Sequence, residues 1–312
     1  MNLQQLRILR ETIRCKFNVT EAANAIYASQ SGVSKQIRDL EDELGVSLFQ
    51  RKGKRLLGLT EIGEQVVKIA DRLLLEADNI KQAASQFSVS DRGILEIATT
   101  HTQARYALPE IILKFKTLYP NVRLVLRQTN PRDIAAQLAD GSADIGIATD
   151  VFGEAEDVLS FPYYTWQHVV VAPSDHPLAN KDNVSFEDIA EHPVITYETG
   201  LTGRPRIDQA FEECNAVPDV VMTALDADII KTYAQMGLGL GIIAPMAFDP
   251  EKETGLKALK LATPFAPSVT NIALRRGRLH RGYVYRFLEL CNPSVTERAI
   301  RDAEAQRDRA GQ

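Results

Sequence analysis

The chain has 312 residues, enough for two or three domains that each bury a core. Its formal charge of −5 argues against nucleic acid when taken whole, yet residues 1–60 carry ten Lys or Arg against six Asp or Glu, which leaves −9 to the remainder; a basic head on an acidic body suits a DNA-binding domain joined to a soluble sensor. Three scattered cysteines, with no CxxC pair and no Cys/His cluster, exclude a zinc-finger type of site, so neither a metal nor a cofactor is expected. The start Met1-Asn-Leu-Gln-Gln-Leu lacks a signal-peptide pattern and no apolar run approaches 18 residues, so the expected location is cytoplasmic, without a membrane partner.

Asn18 to Tyr27 predicts a short helix started by Thr20, whose hydroxyl can cap free backbone N–H groups. Ala28-Ser-Gln30 is a small-residue turn. Beyond it Val33, Ile37, Leu40 and Leu44 recur on one helical face, and Gly45 supplies a stop. Two short helices about such a turn outline a helix-turn-helix, whose second helix enters the major groove of DNA. The opposite face carries Gln30, Ser31, Ser34, Lys35 and Arg38. Gln can pair with an adenine edge, Ser can meet base or phosphate, and Lys or Arg can bind guanine or phosphate. With Thr20 these form the expected DNA-facing set. Next, Leu48-Phe-Gln-Arg51-Lys52-Gly-Lys54-Arg55 reads as a basic hairpin, or wing, with Arg51 and Arg55 on phosphate. The alternative is a solvated polar face beside an ordinary hairpin.

Thr60 to Phe87 predicts one long helix with Ile62, Val66, Ile69, Leu73, Ile80 and Ala84 along a stripe. That stripe requires cover, either from the chain's own body or from a second helix. Ser88 to Gly93 is a turn-rich boundary. From Ile94 the pattern becomes α/β: strands at 94–99, 122–127, 143–148 and 168–172, with helices at 104–118 and 131–140 between them, imply a largely parallel sheet. Strands at 194–197, 220–223, 239–244 and 271–274 continue it, and residues from Pro293 form a charged surface helix or frayed tail.

Three hydroxyl-bearing segments lie where strands run into helices: Thr99 to Gln103, Ile147 to Thr149, and Thr196 to Gly203 including Thr202. Ligands of open α/β sheets sit outside the carboxyl ends of strands, and helix starts there suit anions. Each cluster alone is also what helix capping requires. His101 reads as a loop residue rather than a base, and Gly237 to Pro245 as a tight turn into a strand rather than a nucleotide loop. No nucleophile motif, P-loop or metal motif supports an enzyme, and the DNA-reading head argues against a transport binding protein.

The chain resembles the LysR-type transcriptional regulators. The resemblance rests on Leu3 to Leu9, Thr20-Glu-Ala-Ala23, Ser29-Gln-Ser31, Val33-Ser-Lys-Gln-Ile37, Leu40 to Gly45, Leu48-Phe49, Arg51, Leu59-Thr60 and Gly63 in order and spacing, and it continues through the rest of the chain. It is similar above all to the cysteine-regulon and sulphur-assimilation members. The resemblance implies an α/β fold class with a winged helix-turn-helix at 1–59, a dimerisation linker helix and hinge at 60–91, and an effector domain at 92–292. That domain would resemble a periplasmic binding protein, with subdomain one at 92–163 and 268–292, subdomain two at 164–267, and a charged tail at 293–312. It further implies that Thr100, Thr102, Gln103, Thr149 and Thr202 bind effector, with Trp166 as a cleft aromatic. The implied partners are double-stranded promoter DNA, a small anionic effector (an acetylserine-type inducer, opposed by sulfate or thiosulfate), and further copies of the chain as a dimer of dimers. The implied function is regulation of sulphur assimilation and cysteine biosynthesis genes; the alternative is another pathway, such as aromatic or amino-acid catabolism.

Overall fold

The computed structural model describes residues 1–53, 55–86, 92–150, 157–201 and 203–310. The chain divides into two compact units, Met1–Ser88 and Val89–Gln312.

The first unit opens with α1 (Leu3–Arg14), whose capping box joins Asn2 and Gln5. Then come α2 (Val19–Ala25) and α3 (Gln30–Leu44). Thr20 does not start α2. Asn18 does, its Oδ1 accepting from the N–H groups of Thr20 and Glu21, because an amide oxygen one residue outside the helix reaches the orphan donors that a first-turn hydroxyl cannot. Helix α3 is capped by Ser29 and ends at Gly45 in the left-handed conformation (φ 69°). Val33, Ile37 and Leu40 are buried with Leu6, Ile8, Leu9, Leu48 and Phe49, each large side chain contributing about 1.5–3 kcal/mol. Leu44, the last position of the expected stripe, stays exposed at the helix end. Strands β1 (Phe49–Lys52) and β2 (Arg55–Leu59) form the antiparallel hairpin about Gly53 (φ 62°). Lys54 lies outside the described residues.

Helix α4 (Glu61–Gln86) follows. Its apolar residues divide between two faces. Val66, Val67, Ala70 and Leu74 pack into the core of the helix-turn-helix, whereas Ile62, Ile69, Leu73 and Ile80 remain exposed. Own-body packing therefore accounts for Val66 but not for most of the predicted stripe. Of the hinge segment, residues 87–91 lie outside the described residues.

The second unit contains two five-stranded sheets. The first, in the order β4-β3-β5-β12-β6, is built from β3 (Gly93–Thr99), β4 (Val122–Gln128), β5 (Ile145–Thr149), β6 (Val158–Trp166) and β12 (Ser268–Arg275). The second runs β11-β7-β10-β8-β9: β7 (Val169–Pro173), β8 (Pro193–Tyr197), β9 (Asp219–Ala224), β10 (Leu240–Ile243) and β11 (Leu256–Ala258). Both sheets are mixed rather than largely parallel. Strands β3, β4 and β5 run parallel, but β12 returns antiparallel between β5 and β6; β8, β9 and β10 are parallel while β7 opposes them and pairs antiparallel with β11 on its other side. Long β6 had no clean signal, since Pro162 interrupts its apolar alternation.

Helices α5 (Pro109–Leu118), α6 (Pro131–Asp140), α10 (Gly282–Cys291) and α11 (Glu297–Ala310) accompany the first sheet, and α7 (Phe186–Ala190), α8 (Arg204–Glu213) and α9 (Ala227–Gln235) the second. The helix expected from Ala104 to Leu118 is two pieces: a π-helical turn, Gln103–Ala107, and α5, which restarts at Pro109 because proline fits only a first helical turn. The tail forms α11, anchored by buried Ile300. Residues 237–243 make the expected turn into β10, with Gly237 at φ 83°. No described helix is long and apolar enough to cross a membrane.

Candidate functional site

On α3, Gln30, Ser31, Lys35 and Arg38 are exposed, and Ser34 is half-buried beside them. The Gln30 amide donates to Ser34 Oγ (3.2 Å) and Arg38 Nε to the Ser34 carbonyl (3.3 Å), so Ser34 orients two longer side chains on one polar face. Thr20 is exposed in the first turn of α2. Arg55 and Lys52 are exposed on the hairpin. Arg51, expected on phosphate, has another partner: its guanidinium meets Glu41 of α3 at 2.5 Å, and the same carboxylate accepts from the N–H groups of Leu48 (2.8 Å) and Phe49 (3.2 Å). A neutralised arginine in this position fastens the hairpin to the helix.

In the second unit a cavity of about 370 Å³ opens between the two sheets. Thr100, Thr102, Gln103, Thr149 and Trp166 all stand in its wall. Thr202 lies outside the described residues. Thr149 ends β5 and Trp166 ends β6, while residues 100–103 carry β3 into the π-helical turn. A second edge comes from Asn130, whose Oδ1 caps α6 at Asp133 N (3.0 Å). First-turn N–H groups have no intrahelical acceptors and are available to an anion. No Lys or Arg lines the cavity among the described residues.

The wall is organised by a residue that sequence reasoning missed. Thr270, fully buried on β12, accepts from Trp166 Nε1 (3.0 Å) and, at 3.5 Å, from Gln103 Nε2; its Oγ1 lies 3.0 Å from Thr149 Oγ1. In the Thr149–Thr270 pair either hydroxyl can be the donor, so the Thr149 proton can turn to a bound ligand when Thr270 donates to it. Tyr164 donates to Gln103 Oε1 (2.6 Å), so Gln103 is held as a structural link more than as a free donor. Behind Trp166, buried His168 packs edge-on to Trp166 and Phe265. Burial, aided by nearby Arg206, pushes its pKa down to about 4. A Cβ on Gly203 (φ 95°) would lie 2.5 Å from His168 Nε2, so this close approach requires glycine.

Asp228 of α9 collects donors from the opposite side: Tyr106 hydroxyl (2.5 Å), Arg105 Nε (2.9 Å), His101 Nε2 (3.1 Å) and Lys231 Nζ (3.3 Å). Burial raises its pKa, but these partners outweigh that and hold it below the usual carboxylate range. His101, expected as an ordinary loop residue, is thus part of a junction between the two halves of the unit. Burial lowers its pKa, yet bonds to Asp228 and Gln128 carry it above the ordinary value. His101, Asp226 and Asp228 are the one set of metal-type side chains that converges among the described residues, and Asp228 is already neutralised. Asp226 too was missed, although a carboxylate two residues beyond a strand end and just before a helix is a readable cap signal.

Residues 3–64 match the family model described as bacterial regulatory helix-turn-helix protein, lysR family, and residues 89–295 match that of the LysR substrate binding domain. The HTH-type transcriptional regulator SsuR of Burkholderia cenocepacia is 52% identical over 300 residues, covering 96% of this chain and 97% of the relative. CysB of the same organism is 43% identical, with 97% of each chain covered. Among solved structures, the cofactor-binding domain of the Cbl transcriptional regulator superposes with a TM-score of 0.65 at 44% identity, over 69% of this chain and 93% of that one.

Proposed function

The chain belongs to the LysR family of transcriptional regulators, and we propose that it controls sulphur assimilation and cysteine biosynthesis genes in response to a small anionic effector. The observation that supports this reading is the polar side of the cavity wall: hydroxyls, amides and helix starts, beside the Asp226 carboxylate and an apolar side that includes Trp166 and Leu201, with no Lys or Arg among the described residues. Neutral donors suit a compact oxyanion or carboxylate, and a large apolar effector would leave them unpaired. In this reading Thr100, Thr102, Thr149 and Thr202 hold the anion while Gln103 and Trp166 shape the wall. SsuR and CysB resemble the chain along nearly its whole length, which favours a sulphur-related role. An acetylserine would act as inducer and sulfate or thiosulfate as opposing ligands.

At the other end, Gln30, Ser31, Ser34, Lys35 and Arg38 read bases and adjoining phosphates, with Arg55 and Lys52 on the backbone and Arg51 as a positioning residue. Residues 60–91 pair copies of the chain, and paired dimers present four heads to promoter DNA. An effector regulates only by favouring one arrangement over another, and a coupling of ~1–3 kcal/mol changes operator occupancy several-fold. Calorimetry with sulfate, thiosulfate, O-acetylserine, N-acetylserine and aromatic acids tests the cavity. Thr102→Ala should weaken the bound anion by about 1.5–3 kcal/mol and abolish its effect on DNA binding while leaving DNA binding itself intact. Binding of aromatic acids alone would move the protein to another pathway.

A further inference from the structure

Asp226 is the one carboxylate that lines the cavity among the described residues. Its Oδ1 caps α9, accepting from Ile229 N at 3.0 Å. Its Oδ2 has no hydrogen-bond partner among the described residues. Its cationic neighbours direct their hydrogen bonds elsewhere. His101 directs Nδ1 to Gln128 Oε1 and Nε2 to Asp228 Oδ2, both at 3.1 Å, so both ring nitrogens are engaged. Arg105 and Lys231 are committed to Asp228, and Lys231 also to Glu253. Asp228 is therefore held by direct partners, whereas Asp226, in the cavity wall, keeps one oxygen without a hydrogen-bond partner among the described residues.

A bare oxyanion can sit at the threonine end of the wall but not beside Asp226, since like charges in a partly desolvated site repel. The volume of about 370 Å³ also exceeds what such an ion fills and lies in the range of small organic ligands. A ligand with negative charge at one end and a positively charged donor at the other resolves both features.

We propose that Asp226 is a specificity-determining residue of this cavity, pairing with the ammonium group of an amino-acid-type zwitterion whose anionic end lies among Thr100, Thr102 and Thr149. This rests on the cavity being the effector site. Asp226 then separates zwitterionic effectors from inorganic anions: it attracts the first through a charge-assisted hydrogen bond and disfavours the second.

The test compares full-length wild type with Asp226→Asn by calorimetry, since asparagine still caps α9. The probes are O-acetyl-L-serine, kept below neutral pH so that its acyl group stays on oxygen, its isomer N-acetyl-L-serine, whose nitrogen is an uncharged amide, and inorganic sulfate. Asp226→Asn should weaken O-acetyl-L-serine by about tenfold or more, change N-acetyl-L-serine by less than about threefold, and leave sulfate unchanged or tighter. Equal losses for all three probes, or an unchanged affinity for O-acetyl-L-serine, overturn the assignment. Wild type that binds sulfate and N-acetyl-L-serine but not O-acetyl-L-serine overturns it too, while the cavity reading stands. Wild type that binds none of the three removes the cavity reading and Asp226 with it.

Discussion

Arg51 of the hairpin and Glu41 of α3 meet at 2.5 Å, and the Glu41 carboxylate also takes two backbone N–H groups at the start of β1. The orientation of the hairpin is thus set by α3, the second helix of the helix-turn-helix. A cation already paired in this way releases few counterions on meeting phosphate. Arg55→Ala should weaken binding to all DNA sequences alike and reduce the slope of log affinity against log salt by about one. Arg51→Ala should lower affinity with a smaller change in slope. Equal slope changes for both variants would place Arg51 on phosphate after all.

Gln30 is held by Ser34 at 3.2 Å, which restricts its rotamers before DNA arrives. Gln30→Ala should therefore reduce discrimination between operator and mismatched sites by about 1–3 kcal/mol, read by competition binding. Unchanged affinity and unchanged site preference would exclude α3 as the reader.

Ile69 and Leu73 of α4 are 50% and 44% exposed, and Ile62 and Ile80 continue the same seam. Ile69→Asp should shift the subunit equilibrium toward monomer by about 100-fold, because a buried charge at a helix–helix seam costs several kcal/mol. Light scattering across concentration measures this. A wild type that is monomeric at micromolar concentration, with and without DNA, would rule the seam out as an interface.

Thr270→Val keeps shape but removes the oxygen shared by Trp166, Thr149 and Gln103. Leaving the Trp166 and Gln103 N–H groups without an acceptor should lower stability by about 1–3 kcal/mol, and Thr270→Ser should recover most of it. Denaturant unfolding of the three proteins decides whether the hydroxyl or the methyl matters.

His168 is buried and neutral, with its pKa pushed down to about 4. In the unfolded chain it protonates at its ordinary value, so the folded state loses ground as pH falls from about 6.5 toward 4 and no further below that. His168→Phe, which suits a pocket shared with Trp166 and Phe265, should flatten that loss, by up to about 3 kcal/mol at pH 4. An identical acid profile for variant and wild type would show that His168 reaches solvent.

The DNA-reading head is legible in the sequence because its signals are local: a 3.6-residue apolar period, caps and a glycine stop act within a few residues of one another. Even there Asn18 and Thr20 compete as caps, since both types serve and only backbone position separates them. In the second unit, Thr100, Thr102 and Thr149 are readable as hydroxyls at strand ends. Thr270 is not. It lies 121 residues from Thr149, and the two hydroxyls meet only because β12 returns antiparallel beside β5 in one register. Asp228 is unreadable for the same reason, its partners Arg105 and Tyr106 being brought to it across the unit.

Trp166 is the chain's only tryptophan, its ring lines the cavity and its N–H is tied to Thr270. Indole emission from the whole molecule therefore originates at one place. A change in its intensity or wavelength when a small molecule is added reports a change at that cavity wall, without a dye. The same optical signal can be followed with DNA present, so that events at the cavity are timed against an independent readout of DNA binding.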